Sequence, residues 1–94
     1  MSWTVEIHHN VTKRLSKLSA KVIDRLEILI AEIEFSGPVR GNWQNYSKLE
    51  GKKNQHHCHI KTGRPTYVAV WEETDKSIQL VEVIYVGTHE KAPY

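Results

Sequence analysis

The chain has 94 residues, 39% apolar and 26% charged, with a net charge of +2, which suits one globular domain over residues 1–94 and argues against a disordered chain. Its one cysteine, Cys58, has no partner for an internal disulfide, which fits a reducing compartment. The start MSWTVEIHH lacks a basic stretch leading into an apolar run, and no segment approaches the ~20 apolar residues that span a bilayer, so the sequence reads as cytoplasmic, with no membrane partner.

Residues 2–8 alternate Trp3, Val5 and Ile7 with Thr4, Glu6 and His8, the period of a half-buried strand. Asn10 reads as the cap of a short helix carrying Val11, Leu15 and Leu18. Ser19 reads as the cap of a longer one. Its Val22, Ile23, Leu26, Leu29, Ile30 and Ile33 recur at three- and four-residue intervals and form one apolar stripe. Gly37 and Pro38 end this helix near Phe35–Ser36. Together the two helices form a hairpin that can cover one face of a sheet.

Residues 39–54 read as a long connection rich in Gly and Asn, with Trp43, Tyr46 and Leu49 tucked under the core. Three strand-like runs follow. His56–Lys61 alternates Cys58 and Ile60 with His57, His59 and Lys61. Thr66–Trp71 is β-branched and aromatic. It is separated from its neighbours by turns at Thr62–Pro65 and Glu73–Lys76. Ile78–Val86 is almost continuously apolar, as in a strand near the centre of a sheet buried on both faces. The predicted fold class is α+β: an N-terminal strand, a two-helix hairpin, then a three-stranded antiparallel meander, in the order β-α-α-β-β-β.

Charge is unevenly spread along this frame. Residues 48–64 carry Lys48, Lys52, Lys53, Lys61 and Arg64 against Glu50 alone, a net +4, together with three histidines. Residues 65–94 carry two lysines against five carboxylates, a net −3. A local basic patch concentrates polyanions whatever the global charge.

The strand alternation puts His57, His59 and Lys61 on one face, with Arg64 at the adjoining turn. The turn-out at Gly87 can bring His89 over that face. Paired imidazoles beside cations suit general acid–base cleavage of a phosphodiester. One group takes the proton of a 2′-hydroxyl, another protonates the leaving 5′-oxygen, and cations stabilise the charge that develops. Such chemistry needs no metal and no cofactor. His57, His59 and His89 admit a second reading, as a three-ligand zinc site with an open position.

The second half resembles the RelE/ParE superfamily of toxins, and more closely the RelE- and YafQ-like messenger-RNA interferases. The likeness is carried by Lys48-Leu49-Glu50-Gly51, by HCHIK from His57 to Lys61, by YVAVWE from Tyr67 to Glu72, and by GTHEKAPY from Gly87 to Tyr94. The inferred order of elements agrees with that fold.

The resemblance implies a toxin that enters the ribosomal A site and cuts the bound codon, leaving a 2′,3′-cyclic phosphate. It also implies a cognate antitoxin protein and contacts with 16S ribosomal RNA. His59 matches a second-strand histidine of YafQ-like toxins, where RelE has lysine, and His89 matches their GTH histidine. Lys48 matches a basic position before Leu-x-Gly, Tyr94 an aromatic position near the C-terminus, and Arg64 falls within about a residue of a basic position in RelE. The acidic residue that YafQ-like toxins place after the second-strand histidine is missing, and Gly63-Arg64 stands there.

His59, His89, Tyr94 and Arg64 are thus the expected catalytic residues. Lys48, Lys52, Lys53, His57, Lys61 and Lys91 are the expected RNA and phosphate contacts. The same fold also carries ParE-like inhibitors of DNA gyrase, which need no acid–base pair. A small RNA-binding protein without catalysis is a further alternative.

Overall fold

The computed structural model describes residues 2–51 and 54–94. Strand β1 (Thr4–Ile7) leads into helix α1 (His9–Thr12), a 3-10 turn at Leu15–Lys17, and helix α2 (Ala20–Ser36). Strands β2 (Ser47–Lys48), β3 (Gln55–Lys61), β4 (Tyr67–Asp75) and β5 (Leu80–Thr88) follow, and a second 3-10 turn, His89–Lys91, ends the chain. The five strands form one sheet in the order β1-β5-β4-β3-β2. β3, β4 and β5 make the expected antiparallel meander, while β1 lies parallel to β5. None of the helices among the described residues is long and apolar enough to cross a membrane.

The apolar stripe of α2 works as its spacing predicts. Val22, Leu26, Leu29 and Ile33 are fully or almost fully buried against Cys58, Ile60, Ala69, Trp71, Val81, Val83 and Val86 of the sheet. The Ser19 hydroxyl accepts from the Val22 N–H at 3.3 Å and caps the helix. Gly37 closes it at φ 97°, in a conformation open to glycine, and any Cβ there would stand 3.1 Å from the Trp3 indole nitrogen. Trp3 N–H in turn donates to the Glu34 carbonyl, so the end of α2 is tied to the start of β1.

Four local expectations are corrected. The cap of α1 is His8, whose Nδ1 accepts from the Asn10 N–H, so Asn10 lies inside the helix. The turn expected at Glu73–Lys76 falls at residues 76–79, because the Asp75 carboxylate accepts from both the N–H and the hydroxyl of Ser77. Glu73 is therefore a strand residue, and Ile78 sits exposed in the turn. β5 is interior as expected, between β1 and β4, but it is not buried on both faces: its Leu80, Glu82 and Ile84 are only half-buried.

The long connection is ordered by polar clamps. Glu32 Oε1 accepts from Asn42 Nδ2 (2.9 Å), Trp43 Nε1 (2.9 Å) and Arg40 (3.2 Å). Trp71 Nε1 donates to the Pro38 carbonyl at 2.9 Å. Trp43 is buried, and Tyr46 packs against the core. Asn42 foremost, with Trp43 and Arg40 behind it, holds the Glu32 carboxyl below the usual carboxylate range. Glu32→Ala should cost about 1.5–3 kcal/mol, the typical value for hydrogen bonds to a charged acceptor. The stabilisation from a depressed carboxylate is present above its unfolded pKa and is lost as pH falls through the folded one. Urea titrations should therefore separate the variant from the parent chain at neutral pH and bring them together in acid.

Candidate active site

β3 sorts its side chains by strict alternation. His56, Cys58 and Ile60 are buried on the helix side, while Gln55, His57, His59 and Lys61 stay partly open on the other. β4 continues that second face: His57 pairs with Val70 and His59 with Val68. Both valines are fully buried yet stand outside the helix-side core. β5 adds Tyr85 opposite Val70 and Gly87 opposite Val68.

The tail closes the arrangement. Past the last paired residue, Thr88, the His89 N–H donates to the Thr66 carbonyl at 2.9 Å and turns the chain over this face. The Tyr85 hydroxyl donates to the Thr88 carbonyl at 2.7 Å, and its phenol crosses Gly87 so closely that a Cβ there would stand 2.7 Å from it. The rings of His59 and His89 lie 5.4 Å apart, edge to face. Tyr94 sits 4.6 Å from the His57 ring and 6.2 Å from that of His89. His57 and His59 are 6.5 Å apart.

Two hollows meet at His59. One, of about 500 Å³, is lined by His59, Gly63, Arg64, Thr66, Thr88 and His89 among others. The other, of about 360 Å³, adds Lys21, Arg25, Gln44 and Lys61. Lys21 and Arg25 of α2 went unnoticed in the sequence because each sits singly on a solvated helix face. Only the fold brings them beside Lys61. Arg25 is held there by a 3.0 Å bond from its Nε to the Ile60 carbonyl and by stacking over Trp43.

The structure thus gathers His57, His59, His89, Tyr94 and Arg64, with Lys61 at the margin. It does not gather all the expected cations. Lys48 pairs with His56, which puts it on the helix side of the sheet, opposite His57 and His59. Lys91 lines a different hollow of about 580 Å³, with Lys13, Arg14 and Lys17. Lys52 and Lys53 lie outside the described residues. Among the described residues, no group of three or more His, Cys, Asp or Glu is placed to hold a metal ion.

Burial pushes His57 and His59 below the usual histidine pKa. The neighbouring imidazoles add to this, His89 on both rings and His57 on His59. His57 Nδ1 lies 3.3 Å from the Ser47 carbonyl, a contact that favours the proton on Nδ1 and leaves Nε2 as an acceptor. Burial raises the Tyr94 phenol, which therefore stays an O–H donor at neutral pH. His89→Ala should move the His59 titration midpoint upward, toward the ordinary value near 6.5, in a proton-detected NMR titration. An unmoved midpoint would show the two rings to be electrostatically independent.

No protein-family model matches the chain, and no curated protein sequence matches it. Solved structures do. A free-state E. coli toxin RelE, a double arginine-to-alanine mutant, superposes with a TM-score of 0.75 at 23% identity, over 98% of this chain and 88% of that one. A chain of the archaeal RelE–RelB complex from Pyrococcus horikoshii OT3 gives 0.70 at 18% identity, over 98% of this chain and 100% of that one. Over nearly its whole length, then, this chain has the RelE fold.

Proposed function

We propose that the chain is the toxin of a toxin–antitoxin pair, an endoribonuclease that cuts messenger RNA in the ribosomal A site. The observation that carries this reading is the meeting of His59, from β3, with His89, from the tail, in a hollow that also holds Arg64.

His59 acts as general base. Burial and two neighbouring imidazoles favour its neutral form, so it has a lone pair ready for the proton of a 2′-hydroxyl. That oxygen attacks the adjacent phosphorus, the bond to the 5′-oxygen breaks, and a 2′,3′-cyclic phosphate forms. His89, exposed on the tail, supplies the proton to the leaving 5′-oxygen. Arg64 binds the phosphate oxygens as negative charge grows on them. Tyr94 and His57 form an aromatic edge suited to holding a base by stacking. The acid–base pair and the guanidinium suffice for the chemistry, with no metal or cofactor.

The RelE–RelB complex among the structural neighbours supports a protein antitoxin as partner. The basic hollow lined by Lys13, Arg14, Lys17 and Lys91 suits contacts with ribosomal RNA.

Induction of the chain followed by primer extension on a reporter messenger should reveal cuts in register with codons. His59→Ala and His89→Ala should each lower cleavage on programmed ribosomes by roughly 100- to 10,000-fold, the range for loss of a general acid or base. Chelator should leave the parent rate unchanged. Growth arrest with whole messenger and damaged DNA would instead identify a gyrase inhibitor.

A further inference from the structure

On the far side of β3 from the open face lies a second polar group, sealed in the core. His56 has no exposed surface. Its Nε2 lies 2.6 Å from Glu73 Oε2, and its Nδ1 lies 2.7 Å from the Tyr46 hydroxyl. The imidazole stacks on Trp71 with the planes 5° apart and the centres 5.8 Å apart. Both ring nitrogens are thus satisfied, as burial demands. Lys76, 3.9 Å from Glu73, tempers the carboxylate.

The bond directions follow from the groups present. Glu73 as a carboxylate can only accept, so Nε2 carries the hydrogen and Nδ1 receives the one donated by Tyr46. Burial works against a charged ring and holds the His56 pKa down, although Glu73 opposes this.

A buried polar chain of this kind demands several partners in fixed geometry, whereas an apolar cluster would fill the space with fewer constraints. Its position shows what it can fix. Tyr46 is followed directly by Ser47, which pairs with His57 across the β2–β3 edge. Ser47 faces His57 with both its carbonyl and its hydroxyl, each 3.3 Å from Nδ1. His56 and His57 are adjacent and point to opposite faces, so one strand connects the sealed chain to the open one.

We propose that Tyr46, His56 and Glu73 are positioning residues that hold Ser47 against His57 and so fix the tautomer and orientation of that ring on the RNA-binding face. This deepens the nuclease reading and rests on it. The catalytic contacts stay with the open-face groups.

The test uses the full chain with Tyr46→Phe, which keeps the ring and removes one hydroxyl, alongside Glu73→Gln, which keeps an acceptor for Nε2–H. Long-range proton–nitrogen NMR reads the tautomers of His56 and His57 directly. The parent should show His56 as the neutral Nε2–H form. In Tyr46→Phe the His57 nitrogen signals should shift while the amide spectrum stays dispersed. Cleavage on programmed ribosomes should fall about tenfold, within the range that small misplacements produce. Tyr46→Phe combined with His57→Ala should lose no more than His57→Ala alone. Glu73→Gln should keep most of the cleavage and an unshifted His57.

Unmoved His57 signals in Tyr46→Phe overturn the proposal, as does a loss that multiplies with that of His57→Ala. A parent chain that cuts no RNA sinks the nuclease reading instead, and the nitrogen signals still decide whether the buried chain controls His57.

Discussion

The two-sidedness of β3 is the constraint from which the rest follows. Successive residues of a strand point to opposite faces, so a run of seven must serve two environments at once. Gln55–Lys61 gives Cys58 and Ile60 to the helix-covered core and His57, His59 and Lys61 to the open face. A shift of one residue against β4 would bury the open-face histidines and expose Ile60. The hydrophobic demand of the core therefore also sets the position of every imidazole on the other side. Register and candidate chemistry are enforced by the same burial.

His89 is placed by a weaker device. The ladder between β4 and β5 runs to the pair of Tyr67 and Thr88, and one further bond, from His89 N–H to the Thr66 carbonyl, carries the direction of the strand into the tail. Gly87 matters here because it gives the Tyr85 phenol room to reach the Thr88 carbonyl. The sequence Gly-Thr-His thus has a mechanical meaning: a bare residue, an anchored carbonyl, and a side chain swung over the sheet.

Much of this was legible in the residues. Period-two alternation found β3 and the side on which His57 and His59 stand, and helical spacing found the buried stripe of α2. The turn-out expected at Gly87 also brings His89 over the face of His57 and His59, with its ring 5.4 Å from that of His59. What escaped were properties of pairs distant in sequence. The parallel pairing of β1 with β5 leaves no local trace, since both strands read simply as strands. The two residues of β2 are too few to show a period, and so the face taken by Lys48 could not be read. Alternation put His56 on the face opposite His57 and His59, but nothing near it in sequence announces Glu73, 17 positions away, as its partner. Nothing in the spacing of α2 announces that Asn42 and Trp43 fold back on Glu32.

The cations tell the same story at larger scale. The segment rich in lysine and arginine suggested one basic patch, yet folding disperses the basic side chains. Arg64 joins His59 and His89, Lys61 joins Lys21 and Arg25, Lys48 stands on the helix side, and Lys91 joins Lys13, Arg14 and Lys17. Charge counted along a chain measures attraction for a polyanion, which acts over a Debye length of about 8–10 Å and tolerates such dispersal. Transition-state stabilisation does not tolerate it, because a donor must lie within about 3 Å of the oxygen on which charge develops. In the nuclease reading the lysines can therefore draw in an RNA strand from several sides, while Arg64 shares a hollow with both His59 and His89. In the proposed nuclease reading, recognition is spread over the surface, and the chemistry is confined to the place where β3 and the first turn of the tail converge.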